Sequence, residues 1–312
     1  MAGLVFLLHH QHQHHHLISS SLLPSLLSTE PGAPFDLHSL RFFSSPVLRP
    51  THSPIANMQY STTILLAAFA ATNVLAHGVV TEVQGANGMN LPGLSLIDGT
   101  PRDCASPLCG SEADTAIIRD RELGTSKASA LGRTQGGGPI DAAKMMAVFM
   151  DGANANSTAA KEARAIHEAN VAARALVARQ NGGGTKTPKG TKEASVKAAT
   201  GAAASGELPT TSSDGTIKMV FHQVNQDGAG PLKAQIDATS GGTDPAAFKE
   251  ASVTQNVPGL GIGGLSAATT MDFPVAVQMP AGMTCQGTVG GVNNVCVARL
   301  ANSALAGPFG GS

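Results

Sequence analysis

The sequence predicts a mainly β protein, an antiparallel β-sandwich interrupted by a helical and flexible insertion. Three observations carry this reading. Large apolar residues alternate with other residues at Ile217, Met219 and Phe221, at Leu232, Ala234 and Ile236, at Phe273, Val275, Val277 and Met279, and at Val295 and Val297, the period of a strand with one buried face. Gly, Pro and Asn turns separate these runs with no helix between them, the pattern of two packed antiparallel sheets. Helical spacing is confined to about 139–181.

Residues 58–76, MQYSTTILLAAFAATNVLA, hold an apolar run over 64–71 followed by Val74, Leu75 and Ala76. That is the pattern of a cleavable secretory signal, and the run is too short to span a bilayer. A signal at this position makes residues 1–57 a leader upstream of the expected true start at Met58. The leader carries a tract of six histidines between His9 and His16, a composition seen in metal-binding segments, but it is set aside from the fold. Cleavage after Ala76 leaves one secreted domain, 77–312, with a helical insertion at about 139–181 and a flexible linker at about 182–215. The expected location is extracellular, with no membrane contact once the signal is removed.

Within that domain Val79, Val80 and Val83 read as a first strand running into the turn Gly85, Ala86, Asn87, Gly88. Residues 88–120 are irregular and punctuated by Pro and Gly. A short helix is expected over 141–150, and Ser157 or Thr158 can cap a longer one that reaches Gln180 before Asn181 and three glycines stop it. Ile166, Ala169, Ala173 and Leu176 recur on one face of this helix and are expected to point inward; Arg164, His167 and Arg174 share another and are expected to face water. Residues 182–215 hold almost no large apolar side chain, so little of them can be buried.

The chain has 20 Lys and Arg against 21 Asp and Glu, a formal charge of −1, which gives nucleic acid no electrostatic footing as a partner. All four cysteines follow the cleavage point. In a secreted chain an even number suggests disulfides; three pairings are possible, and the local one, Cys104 with Cys109 and Cys285 with Cys296, is expected. Asn156, Ser157 and Thr158 form an N-glycosylation sequon. There is no Trp, and the single Tyr, Tyr60, lies in the signal segment, so a grip on flat polysaccharide would need Phe, His or polar groups. No GxSxG elbow, phosphate-binding glycine loop or organic-cofactor motif occurs, and residues 261–264 read as turns.

The chemistry centres on histidine. A mature N-terminal His77 would offer an α-amine and an imidazole from one residue, with unperturbed pKa values of about 7.7–8.0 and about 6.5, so both can be free of protons near neutrality. His222, at the end of a predicted strand, supplies a third nitrogen. A nitrogen-rich tetragonal set favours Cu(II). Asp227, in the loop after His222, is a candidate third or axial carboxylate ligand, beside its plainer role as a turn former before Gly228.

The segments HGVVTEV and FHQVNQDGAGPLKAQID resemble the two histidine segments of fungal lytic polysaccharide monooxygenases, copper enzymes with a histidine brace on an immunoglobulin-like sandwich. A wider resemblance runs through GRTQGGGPIDAAKMM, HQVNQDGAGP, VPGLGIGGLS, DFPVAVQMPAGMTCQGTVGGVNNVC and the terminal AGPFGGS. These blocks are similar to the secreted appressorial virulence-associated proteins of fungi, the MAS-type family known from powdery mildew and rice blast. The resemblance implies a role in host penetration, a copper brace of His77 and His222, and a cell-wall or cuticle polysaccharide as partner. The monooxygenases usually place Tyr at the axial copper position, which this mature chain lacks; Phe221 and Phe273 are the aromatic stand-ins, and both sit in core alternations. The alternative is a non-catalytic secreted effector or copper-binding surface protein.

Overall fold

The structure is a computed structural model that describes residues 77–178, 183–260 and 265–312. The leader at 1–57, the signal segment at 58–76 and the glycine turn at 261–264 lie outside the described residues. The strands are β1 (Gly78–Gln84), β2 (Asn90–Pro92), β3 (Ala116–Ile117), β4 (Arg133–Thr134), β5 (Gly138–Pro139), β6 (Thr185–Lys186), β7 (Thr216–Gln223), β8 (Lys233–Asp237), β9 (Phe248–Gln255), β10 (Met271–Gln278), β11 (Gly287–Val289), β12 (Val292–Val295), β13 (Val297–Ala301) and β14 (Phe309–Gly311). The helices are α1 (Ala142–Met150), α2 (Thr158–Ala178) and α3 (Ser195–Ala198).

The main sheet is antiparallel and runs β2-β1-β7-β10-β9-β8-β13-β14-β3-β4-β5, with β6 added on β10; β11 and β12 form a separate hairpin. The sheet curls until β1 lies against β14, giving a half-barrel consistent with the expected sandwich. The alternating residues do what their period dictates. Val80, Met219, Phe221, Ala234, Ile236, Phe273, Val275, Val277 and Leu300 fill one core, so the two candidate axial phenylalanines are core residues. A second core gathers Ile118, Leu131, Phe248, Val295 and Val297 around Met146 and Phe149 of α1. Helix α1 begins where the sequence places it, with Asp141 Oδ1 accepting from the Ala143 and Lys144 amides at 2.9 and 3.1 Å. Both local disulfides, Cys104–Cys109 and Cys285–Cys296, are present.

Two expectations are overturned. Helix α2 turns its polar stripe inward: Ile166 is 52% exposed and Val171 46%, while Ala160 and Ala163 are buried and His167 is half-buried. The reason is hydrogen bonding. Arg164 donates to the carbonyls of Ala155, Ala198 and Thr200 at 2.6, 3.0 and 3.1 Å, and Asn170 donates to the Lys192 carbonyl at 3.0 Å. Carbonyls at and just beyond the end of α3 have no helical partner, and an Arg fork satisfies them; the alanines opposite have too little area to compete.

The expected flexible linker is the second. Over 183–215 the chain is pinned by buried polar contacts. The fully buried Arg102 binds Asp114 at 2.5 Å and Glu193 at 2.8 Å, and Glu193 in turn accepts from the Ser195 amide and hydroxyl at 2.9 and 2.6 Å. Asp98 accepts from the Val196 and Lys197 amides at 3.1 and 2.9 Å. Ala194, Ala199 and Ala203 are buried beside them. Small side chains pack closely here, and charge pairing replaces the missing large apolar ones.

Candidate metal centre

Cross-strand register decides whether the two histidines can meet. Val79 of β1 lies opposite His222 of β7, and Gly78 opposite Gln223. The Val224 amide donates to the His77 carbonyl at 2.9 Å, which extends the ladder by one residue. His77 and His222 therefore lie on one face as diagonal neighbours, a relation in which the paired positions are about 7–8 Å apart. Phe221 points the opposite way, into the half-barrel core. The backbone at His77 is held tightly by two glycines. A Cβ on Gly78 would strike the Phe221 ring, and one on Gly228 would strike the His77 carbonyl.

His222 is fully buried, and its Nδ1 lies 2.6 Å from Asp272 Oδ1. Asp272 sits opposite His222 in β10, and its other oxygen is 3.2 Å from Arg174 Nε of α2, an ion pair outside hydrogen-bond geometry. Burial alone would raise the Asp272 pKa. The hydrogen bond and charge of His222, with the charge of Arg174, outweigh it and hold the carboxyl below its ordinary range. The Asp272 carboxylate thus takes the Nδ1 side of His222, and His222 Nε2 has no hydrogen-bond partner. A carboxylate that orients an imidazole in this way is the usual outer support of a metal-binding histidine.

His77 is 1% exposed. Its ring stacks at 4.2 Å, tilted by 37°, on Phe309, and neither ring nitrogen meets hydrogen-bond geometry. Its Nδ1 approaches Glu112 Oε1 to 3.1 Å without meeting hydrogen-bond geometry. Its backbone N donates to Asn225 Oδ1 at 2.8 Å, and Asn225 Nδ2 donates to Glu112 Oε1 at 3.1 Å. Asp227 lies in the turn Gln226–Gly228. Burial raises its pKa and the His77 charge works against that rise, so Asp227 is within electrostatic reach of His77. Among the described residues it forms no ion pair with it inside 4 Å; Glu112 does.

A metal ion held by the two imidazoles and by the nitrogen of a chain cut before His77 would meet an observed deficit of the site. Three buried ring nitrogens lack partners, and burying such groups unpaired is costly. Among the described residues no set of three His, Cys, Asp or Glu side chains is gathered closely enough to hold a metal; a brace uses two such side chains and an amine, which is not a side chain. Sequence reasoning missed Glu112, Asn225, Asp272 and Phe309 and placed Arg174 toward water, where the structure pairs it with Asp272; the five come from separate stretches of chain and share no spacing motif.

Over residues 75–310, a span that takes in both histidines and every contact just described, the chain matches the Egh16-like virulence factor family. It is 72% identical over 255 residues to the appressoria-specific virulence factor GAS2 of Pyricularia oryzae, covering 82% of this chain and 88% of that protein. It is 28% identical over 254 residues to the appressoria-specific virulence factor GAS1 of the same fungus, covering 81% and 77%. No solved structure matches. With a family match across three-quarters of its length, the chain belongs to the Egh16-like virulence factors.

Proposed function

We propose that the protein is secreted during host penetration, is cleaved after Ala76, and holds one copper ion with the amine and imidazole of His77 and the imidazole of His222. The observation that carries this reading is the pair of buried histidines on one sheet face with unpartnered nitrogens, one of them bound at Nδ1 by Asp272. The family, the appressorial relatives and the secretory pattern at 58–76 support the setting. Among the described residues no helix is long and apolar enough to cross a membrane.

Copper held this way supplies a one-electron centre able to react with reductant and peroxide, which suits oxidation of a wall or cuticle polysaccharide. This chain's residues bind and orient the ion: Asp272 holds His222 at Nδ1, and Asn225 aligns the His77 nitrogen. A second reading, a metal-holding effector without turnover, is favoured by the burial of both imidazoles, which leaves little open face for a polymer, and by the absence of Tyr from 77–312. Calorimetric titration tests the binding. Protein starting at His77 is expected to take up one Cu(II) far more tightly than Zn(II), and His222→Ala to weaken copper at least tenfold, roughly 1.4 kcal/mol. Equal affinities in the two proteins remove the brace. Consumption of reductant and peroxide by copper-loaded protein separates the oxidising reading from the silent one.

A further inference from the structure

We propose that a cleft at the far end of the half-barrel binds an extended basic peptide, one whose lysines or arginines are interleaved with large apolar residues. The proposal is independent of the copper reading.

The cleft, of about 1240 Å3, opens where the strands that carry the histidines have their other ends. Val83 and Gln84 end β1, Ile217 and Met219 lie near the start of β7, and Gln278 ends β10. His77, His222 and Asp272 stand at the opposite ends of the same strands, about 20 Å away at ~3.3 Å per residue. The cleft runs between the two cores. Ile217, Met219 and Met279 side with one, and Met146, Phe149 and Val292 with the other. Ile217, Met279, Met283 and Val292 are only half-buried, so covering them takes apolar surface out of water, and the methionines can adapt to varied side chains.

Charge decides what covers them. The ionisable side chains that line the cleft are all acids, Glu207, Asp214 and Glu250. All three are exposed, and among the described residues none forms an ion pair. Asp214 is held in place by the Thr216 amide and hydroxyl at 3.1 and 2.9 Å. An apolar floor with uncompensated negative charge complements a cationic amphipathic ligand and repels a fatty acid or an acidic peptide.

Size and backbone favour a peptide over a small molecule. The volume exceeds the roughly 300–1,000 Å3 of an ordinary small-molecule site. Two of the strands that line the cleft are paired on one side only among the described residues, β2 with β1 and β12 with β11. Such edges offer backbone donors and acceptors that an extended chain can match and a lipid chain cannot.

The test uses the purified secreted protein and a labelled synthetic peptide of alternating Lys and Leu, followed by fluorescence anisotropy at physiological salt. Peptides of alternating Glu and Leu and of alternating Lys and Ser are expected to bind at least tenfold more weakly. Reversing charge in the cleft with the pair Glu207→Lys and Glu250→Lys is expected to cost at least tenfold. The same reversal on α2, Glu162→Lys and Glu168→Lys, should leave affinity unchanged, which separates the cleft from the overall charge. Met283→Ser, which keeps every charge, should also weaken binding, and circular dichroism checks that each variant is folded. The proposal is overturned if the Lys and Leu peptide does not bind, if it binds no better than the Lys and Ser peptide, or if both charge reversals act alike. A long-chain alcohol that displaces the peptide and binds equally well to the cleft reversal would assign the cleft to lipid instead, and a dimer of the free protein that Met283→Ser dissociates would assign it to a second copy; either result also overturns the proposal.

Discussion

At His222 the protein accepts the cost of burying an imidazole, and the partners of that imidazole decide what it can do. Asp272 fixes Nδ1 and is itself held by Arg174, so the relay starts on α2 and ends at the unpartnered Nε2. Asp272→Asn keeps the shape and removes the charge at Nδ1. Copper affinity is expected to fall by about 10–100-fold, the usual cost of removing an outer support, with a smaller loss for Arg174→Gln; titration of both variants checks the order, and affinity unchanged in Asp272→Asn removes the relay from the site. The backbone at His77 is equally constrained. Gly228→Ala drives a methyl group into the His77 carbonyl, so the strand end must shift. A drop in both melting temperature and copper affinity is expected, measured by calorimetry on the same sample, whereas Gly88→Ala, at a position with open space, should spare copper while carrying only its left-handed backbone strain.

Among the elements, the stretch 183–215 teaches the most, because composition argued for looseness and the structure shows anchoring. Its anchor is Arg102, which the sequence places in an irregular loop and the fold places between Asp114 and Glu193. Arg102→Met leaves two acids buried without a cation, and a loss of about 3–5 kcal/mol is expected, measurable by denaturant unfolding. Burial would raise the Glu193 pKa, but the charge of Arg102 and the hydrogen bonds from Ser195 hold it down to about 2 against an ordinary 4.5. A carboxyl depressed on folding stabilises fully above its ordinary pKa and loses that contribution as pH falls through the folded value. The melting temperature should therefore fall between about pH 4.5 and 2, and Glu193→Gln should flatten that slope. The same contrast explains what could be read in advance. The core strands were legible because Met219, Phe221, Val275 and Val277 repeat at period two with bulky side chains. The inward face of α2 was not, since Arg164 and Asn170 are polar by composition and turn inward largely toward carbonyls more than twenty residues away in the chain, those of Ala198, Thr200 and Lys192. Strand β9 was missed for a related reason: Phe248, Ala251 and Val253 give it a thin apolar pattern, and it holds its place by pairing with both β8 and β10.

For the molecule as a whole, the proposed chemistry depends on a single peptide bond. The curled sheet brings β1 beside β7 and β14, so the strand that starts at Gly78 is fixed by pairing, and His77 just before it is held by the Val224 amide, Phe309 and Asn225. None of those contacts needs a free amine, which means that folding and metal binding separate cleanly. A protein carrying one extra residue before His77 should melt within about a degree of the mature form in the absence of metal, since a few tenths of a kcal/mol shifts the midpoint of a domain this size by little more than that. It should nevertheless bind Cu(II) at least tenfold more weakly, because its first nitrogen is an amide with no available lone pair. Intact-mass measurement of the secreted protein is expected to show a chain beginning at His77. A chain beginning at Gly78 loses the chelating residue altogether, and copper affinity equal in the mature and extended proteins would show that the amine is not a ligand; either result ends the brace reading while leaving the fold and the family assignment intact.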